Sequence, residues 1–168
     1  MRRAMLVLVL MPGWLAGCGR DEGGGRGGSE RAFNDYMTKT KKSEALIQLD
    51  KLGKRAKEVY VETEAFPAQA APLTPEIECC KQNAGGKRKC AAAAPDWDKP
   101  AWRELDFALE RDAFFRYSYT PSADGKSFVA TAVGDLDCDT TAITYELRGE
   151  VVNGTPRMTI TEPPPNSD

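Results

Sequence analysis

The sequence contains no histidine among its 168 residues. Histidine is the side chain that most often acts as a general base near neutral pH, and it is also a common zinc ligand. The formal net charge is only -2, so no strong basic field indicates a nucleic-acid partner. The sequence also shows no nucleophile–base pair and no phosphate-binding loop. These absences disfavour an enzyme, and we expect neither catalytic residues nor a cofactor.

The sequence also lacks an apolar run long enough to span a membrane. The run from Ala4 to Met11 is too short to cross a membrane, because a spanning helix needs about 20 apolar residues. Arg2 and Arg3 precede this run, as in a signal peptide. The residues that follow, Leu15-Ala16-Gly17-Cys18, resemble the lipobox of bacterial lipoproteins. The resemblance implies cleavage before Cys18 and acylation of both its sulfur and its new amino group.

We therefore predict a signal peptide at residues 1–17 and a membrane anchor on Cys18. Residues 18–28 are rich in glycine and are predicted to be a tether. Removal of residues 1–17 leaves 21 basic against 25 acidic residues, so the mature charge is -4 and the lipid has to supply the anchoring. Gly19 rather than aspartate follows Cys18, which favours the outer membrane of the cell envelope over retention in the inner one.

The residues from Ser29 to Glu64 are predicted to form one long helix. Apolar residues recur there at gaps of three and four, which is typical of an amphipathic helix. Gly53 falls on the predicted buried side, where close packing can offset its low helix propensity. The predicted apolar stripe comprises Phe33, Tyr36, Met37, Leu46, Leu49, Leu52, Ala56, Val59 and Tyr60.

The chain after the helix changes its periodicity. Residues 65–99 combine prolines, four successive alanines and three cysteines, which predicts an irregular loop. A short helix is predicted from Pro100 to Leu105, and we expect Trp97 and Trp102 to pack the loop onto the sheet. Apolar and polar residues then alternate in FFRYSYT, SFVATAV and AITYEL, which predicts three strands, and RMTIT is a candidate fourth.

Between Tyr36 and Gly149 the chain contains, in order, YMTKTKKSEALIQLDKLGKRAKEVYVETEAFP, ECC followed by GGKRKC, PDWDKPAWRELDFAL, FFRYSYT and SFVATAVGDLDCDTTAITYELRGE. The first stretch resembles the second half of the long N-terminal helix of type IV pilins, and the others resemble the loop, strands and acidic turn of the head domain in a subgroup of bacterial pilins. Pilins begin with a prepilin peptidase site and an apolar half-helix, and here a lipobox and a glycine tether stand in that place. The resemblance implies a non-catalytic, membrane-anchored lipoprotein that acts through protein–protein contacts at the cell envelope, with pilus components or another envelope protein as partner. The alternative is a structural or minor subunit of a type IV pilus or related filament.

Four cysteines remain once Cys18 is set aside: Cys79, Cys80, Cys90 and Cys138. An even number in a secreted chain predicts two disulfides. A bridge between the adjacent Cys79 and Cys80 would be strained, so one of them is expected to pair with Cys90 and the other with Cys138. Closing loops of about 10 and 58 residues would contribute about 3 and 4 kcal/mol in the chain-entropy model. The sequence leaves open which cysteine takes which partner.

The stretch GDLDCDTTAITYE places Asp135, Asp137 and Asp139 at alternate positions, close to the spacing of a calcium loop. Such a loop needs glycine where Thr140 stands, and the alternation of the next strand turns Glu146 to the solvent face. We therefore expect an acidic turn between two strands, kept open by repulsion and closed by the bridge at Cys138. The three aspartates remain a weak calcium candidate.

The expected fold class is α+β. One long N-terminal helix packs on a three- to four-stranded antiparallel sheet of the type IV pilin kind, with a disulfide-stapled irregular loop between them. The predicted folded domain spans residues 29–162, and residues 163–168 form a polar tail.

Overall fold

The computed structural model describes residues 26–165 and residue 167. One long helix, α1 (Arg26–Thr63), precedes all the strands. The strands are β1 (Ala71–Thr74), β2 (Arg116–Pro121), β3 (Ser127–Gly134), β4 (Ile143–Val152) and β5 (Thr155–Thr161). Two short α-helices lie between β1 and β2, namely α2 (Ala94–Trp97) and α3 (Pro100–Glu104). The predicted α+β class is confirmed, and so is the short helix at Pro100.

The sheet is an antiparallel meander in which each strand pairs with the next along the chain, in the order β1-β2-β3-β4-β5. Tyr119 lies opposite Ala130, which in turn lies opposite Leu147. The residues predicted to share the inner face are buried: Phe115, Tyr117, Tyr119, Ile143, Tyr145 and Leu147. The alternation of apolar and polar residues therefore predicted the inner face of the central strands correctly.

The sheet has five strands, so the prediction of three to four was wrong. The fifth is β1, in the segment predicted to be irregular, where Ala71 lies opposite Tyr119 and Thr74 opposite Tyr117. The sequence pattern did not predict this strand because of Pro72 and Pro75, since proline argues against a central strand. At the edge of a sheet proline is tolerated, since the missing N–H can lie on the side that no strand pairs with.

The second half of α1 packs on the inner face of the sheet. Ala45, Leu49, Leu52 and Ala56 are fully buried, and their spacing places them on one side of the helix. The helix contacts β3, β4 and β5. A Cβ atom at Gly53 would lie 3.3 Å from Leu147 Cδ2, which confirms that this glycine sits at a close approach.

The first half of α1 extends past the sheet. The helix begins at Arg26, so its first residues fall in the segment predicted as tether. The expectation of one continuous buried stripe was wrong, because the first apolar residues of that stripe are exposed. Phe33, Tyr36 and Met37 are 61%, 67% and 40% exposed. At about 100° per residue, Met37 points about 120° away from Leu49, so these residues do not continue the buried face. The thirteen residues from Arg26 to Thr38 form about 20 Å of helix.

Aromatic rings fill the space between α2, α3 and the sheet. Trp97 and Trp102 are buried, with ring centroids 5.3 Å apart, and both contact Phe107. Phe107 lies in turn against Tyr117 of β2. The indole N–H of Trp102 donates to Thr74 Oγ1 at 3.0 Å and thereby ties α3 to β1. The prediction that both tryptophans pack the loop onto the sheet is confirmed.

Candidate functional site

Two disulfides staple the loop that was predicted to be irregular. Cys79 pairs with Cys90, with Cα atoms 4.2 Å apart, and Cys80 pairs with Cys138, with Cα atoms 5.6 Å apart. The two-bridge scheme is confirmed, and the structure decides the pairing that the sequence left open. Cys79–Lys81 forms a single 3-10 turn, which directs the adjacent side chains to different partners.

The bridges join three parts of the chain that are distant in sequence. Cys90 also exchanges two backbone hydrogen bonds with Ala113, at 2.8 and 3.0 Å, just before β2. Cys138 lies in the turn between β3 and β4. The disulfides therefore hold the long loop against one end of the sheet, at the acidic turn.

The acidic turn, residues 135–142, is built on aspartate side chains that accept backbone hydrogen bonds. The carboxylate of Asp135 accepts the N–H of Cys138 at 2.6 Å and of Thr140 at 2.9 Å. Asp137 accepts the N–H of Asp139, and Asp139 accepts that of Thr141 at 2.7 Å. This is the local bonding that makes aspartate favourable in turns.

The three carboxylates of the acidic turn converge. Asp135, Asp137 and Asp139 each offer an oxygen, and these oxygens lie within 4.8 Å of one another. The turn is therefore not open, contrary to what was expected from repulsion, and the bonds to the backbone hold the three carboxylates close together. Such a set of oxygens is of the kind that calcium prefers.

The acidic turn matches a calcium loop in one respect and departs from it in another. Thr140 has a φ of 81°, the conformation for which such loops use glycine, so the backbone makes this turn without a glycine. Glu146 lies within β4, opposite Thr131 and Thr161, and pairs with Arg148 at 2.8 Å. The prediction that Glu146 faces away from the turn is confirmed, so it does not supply the twelfth-position ligand.

A cleft of about 260 Å³ opens beside the acidic turn and the Cys80–Cys138 bridge. Its polar lining comes from Glu78, Lys81, Arg116, Asp135 and Thr140. Glu78 and Lys81 form an ion pair at 2.9 Å, and the hydrogen bond from Lys81 lowers the pKa of the Glu78 carboxyl. Its apolar wall comes from Phe114, Val133 and Ala142. These groups can form hydrogen bonds and ion pairs with a polar ligand or with a loop of a partner protein.

Glu44 fastens α1 to the chain that enters β2. Its carboxylate accepts the N–H of Phe114 at 2.8 Å. Burial raises the pKa of the Glu44 carboxyl, and the backbone bonds from Phe114 and Phe115 oppose that rise. Lys51 and Arg55 continue the connection further along the helix, through ion pairs with Glu110 and Asp106.

The feature that sequence reasoning missed is the exposed group Phe33, Tyr36 and Met37, here called the helix patch. Their spacing of three and four places them on one side of α1. Lys41, one turn further on, donates to the carbonyl of Leu136 at 2.6 Å. The helix patch and the acidic turn therefore lie at the same end of the domain. The sequence did carry a signal of this exposure, namely the angle around the helix axis between Met37 and Leu49, which follows from helical geometry alone.

The predicted lipidation site, Cys18, lies outside the described residues, as does the predicted signal peptide at 1–17. Within residues 26–165, no helix combines the length and the apolar character needed to cross a bilayer. Comparison of the chain with protein family models, with curated proteins and with solved structures found no match.

Proposed function

We propose that this chain is a non-catalytic lipoprotein of the bacterial cell envelope. A lipid on Cys18 anchors it, and a type IV pilin-like domain acts through protein–protein contacts. The observation that carries the proposal is the sequence Leu15-Ala16-Gly17-Cys18, preceded by two arginines and a short apolar run and followed by a glycine-rich stretch. Lipidation at a single cysteine with two or more acyl chains gives stable membrane attachment.

The fold supports the proposal without depending on the lipobox. A long helix packed on an antiparallel meander is the arrangement that the pilin resemblance implies. The two disulfides fit the oxidising compartments outside the bacterial cytoplasm. The cleft at the acidic turn provides charged and apolar groups for contact with a partner protein.

Labelled fatty acid tests the anchor. We expect the wild-type chain to take up label in growing cells, and Cys18→Ser to abolish the label and leave the precursor uncleaved. Gly19→Asp is the matched control, because it keeps the acylated sulfur while changing the residue that follows it. It should retain the label and shift the protein from the outer- to the inner-membrane fraction. An unlabelled wild-type chain would contradict the proposal.

A pilus or filament subunit is the second candidate. The exposed first half of α1 favours it, because a free helix end can pack against neighbouring copies. Shearing of pili from cells separates the two candidates. The lipoprotein proposal expects the chain to stay with the membranes, whereas recovery in stoichiometric amounts in the sheared pili would establish the subunit instead. Crosslinking in cells, followed by purification of the tagged chain, would then identify the partner.

A further inference from the structure

We propose that the helix patch contacts an anionic lipid surface, so that the first half of α1 docks on the membrane to which the chain is tied. The proposal deepens the proposed function, on which it rests for the location of the chain. The affinity of the patch for lipid is a property of α1 itself and can be measured separately.

The apolar contribution comes from a cluster of three side chains. Phe33, Tyr36 and Met37 are 61%, 67% and 40% exposed and lie on one side of the helix. The other large exposed apolar residues of α1 are single and far apart, Ile47 at 62% and Val61 at 69%. A helix that lies in a membrane interface presents aromatic and aliphatic groups together on one face. The helix patch has that arrangement, and Ile47 and Val61 do not.

The charges of the chain are also unevenly distributed, and the segment that carries the helix patch is basic. Residues 26–42 carry five basic and two acidic residues, a net charge of +3, although the whole chain is -2. Residues 43–168 carry 15 basic and 21 acidic residues, a net charge of -6. The net charge therefore conceals a basic end that carries the helix patch. Basic residues beside an apolar face are the feature that anionic headgroups attract.

Chain length permits the contact. Eight Cα–Cα steps separate Cys18 from Arg26, and they span at most about 28 Å when fully extended. The helix from Arg26 to Phe33 adds about 10 Å. A lipid on Cys18 therefore keeps the helix patch within reach of the bilayer surface and raises its local concentration there.

The acidic turn limits how the domain can approach. Lys41 binds the carbonyl of Leu136, so the carboxylates of Asp137 and Asp139 lie near the base of the free helix. They would repel anionic headgroups over about one Debye length, which is roughly 8–10 Å. We therefore expect α1 to meet the bilayer through the helix patch while the turn is held away from the surface. Neutralising Asp137 and Asp139 should then strengthen binding to anionic vesicles.

A photoreactive phenylalanine analogue, benzoylphenylalanine, placed at single positions of the full chain tests the contact directly. The protein is reconstituted into vesicles of phosphatidylcholine, with or without phosphatidylglycerol as a third of the lipid, and then illuminated. Position 33 is compared with position 47, which has nearly the same exposure on the same helix. We expect lipid adducts at position 33 to exceed those at position 47 several-fold, and to increase when anionic lipid is present.

Three variants sharpen this experiment. Lys39→Glu should reduce the adducts at position 33 on anionic vesicles, and Asp137→Asn with Asp139→Asn should increase them. Met37→Ser should reduce them on both kinds of vesicle. Equal yields at positions 33 and 47, yields at 33 that do not respond to anionic lipid, or adducts to a second copy of the chain in place of lipid would each overturn the proposal. Failure of fatty-acid labelling at Cys18 overturns the proposed function instead, and the two failures are therefore distinguishable.

Discussion

The two halves of α1 both carry apolar residues at gaps of three and four, but their surroundings differ. The docked half, residues 45–60, places Leu49, Leu52 and Ala56 against the sheet at full burial. The free half, residues 29–40, carries apolar residues at the same kind of spacing, and they are exposed. Apolar spacing therefore predicts that a helix has an apolar side. Whether anything covers that side depends on how far the rest of the fold extends.

The free half depends on the docked half for its helical structure. An isolated helix of about a dozen residues is marginal in water, because nucleation is costly. Packing of the docked half supplies that nucleus, and the helix continues from it toward Arg26. The free half is therefore expected to open locally at low free energy, whereas the docked half opens only with the whole domain.

Loss of a disulfide should produce the largest difference between the two halves of α1, because it destabilises the folded domain and leaves the free half unchanged. In the chain-entropy model the Cys79–Cys90 bridge contributes about 3 kcal/mol and the Cys80–Cys138 bridge about 4 kcal/mol. Cys80→Ser with Cys138→Ser should therefore lower the free energy of unfolding more than Cys79→Ser with Cys90→Ser, as measured in urea. Because the free half already opens locally, its exchange rates should stay the same in both variants. Free thiols at these positions in protein isolated without reductant would exclude the scheme.

Leu49→Ala and Phe33→Ala compare the halves directly. Leu49 is fully buried, so truncation should lower the free energy of unfolding by about 2–5 kcal/mol. Phe33 is 61% exposed, and its truncation should change that free energy by no more than about 0.5 kcal/mol. Urea denaturation of the two variants measures both values. Similar losses would show that the free half is packed in solution.

Glu44 lies just before the docked half, and its titration should change the free energy of unfolding with pH. Its carboxyl pKa is raised above 4.5 in the folded chain, chiefly by burial. The fold therefore favours the protonated form. The stability that the protonated Glu44 contributes is fully present below the ordinary carboxyl pKa, and it is lost as pH rises through the raised pKa. Glu44→Gln keeps an acceptor for the Phe114 N–H and should remove this loss.

The Glu44 prediction is measured as the difference in unfolding free energy between the wild type and Glu44→Gln, at mildly acidic and at neutral pH. We expect the variant to gain relative to the wild type as pH rises. Glu44→Ala is the control that removes the acceptor, and it should destabilise the domain at both pH values. A difference between wild type and Glu44→Gln that does not vary with pH would count against a raised pKa.

Calcium should have the smallest effect. Both oxygens of Asp135 already accept backbone N–H groups, and Glu146 faces away from the acidic turn. We therefore expect millimolar calcium to leave the Tm unchanged. A ligand at one hundred times its Kd would add about 2.7 kcal/mol, which a melting curve resolves. A rise of several degrees that Asp135→Asn abolishes would establish a metal site in the turn.

The sequence predicted the features that follow from local pattern. Alternation identified the inner face of β2 and β4, and the even cysteine count predicted two disulfides. Gly53 was placed correctly at a close approach, because its position in the apolar repeat already implied one. The α+β class followed from the change of period after residue 114.

What the sequence could not predict depended on tertiary context. The strand at Ala71–Thr74 forms by pairing with the edge of β2, and Pro72 within it and Pro75 just after it gave the opposite local signal. The choice between Cys79 and Cys80 depends on the orientation of one 3-10 turn. The convergence of Asp135, Asp137 and Asp139 depends on backbone bonds inside the turn. The exposure of the helix patch depends partly on where the sheet ends, although the angle between Met37 and Leu49 already indicated that the patch lies off the buried face.

Amide hydrogen exchange along α1 tests the central contrast between the docked and free halves most directly. The full chain is measured in vesicles of phosphatidylcholine alone and in vesicles that include phosphatidylglycerol. We predict that residues 45–60 exchange slowly in both, and that residues 29–40 exchange fast in the neutral vesicles and several-fold more slowly in the anionic ones. Exchange in residues 29–40 that is as slow as in the docked half in both lipids, or that anionic lipid leaves unchanged, would contradict the account.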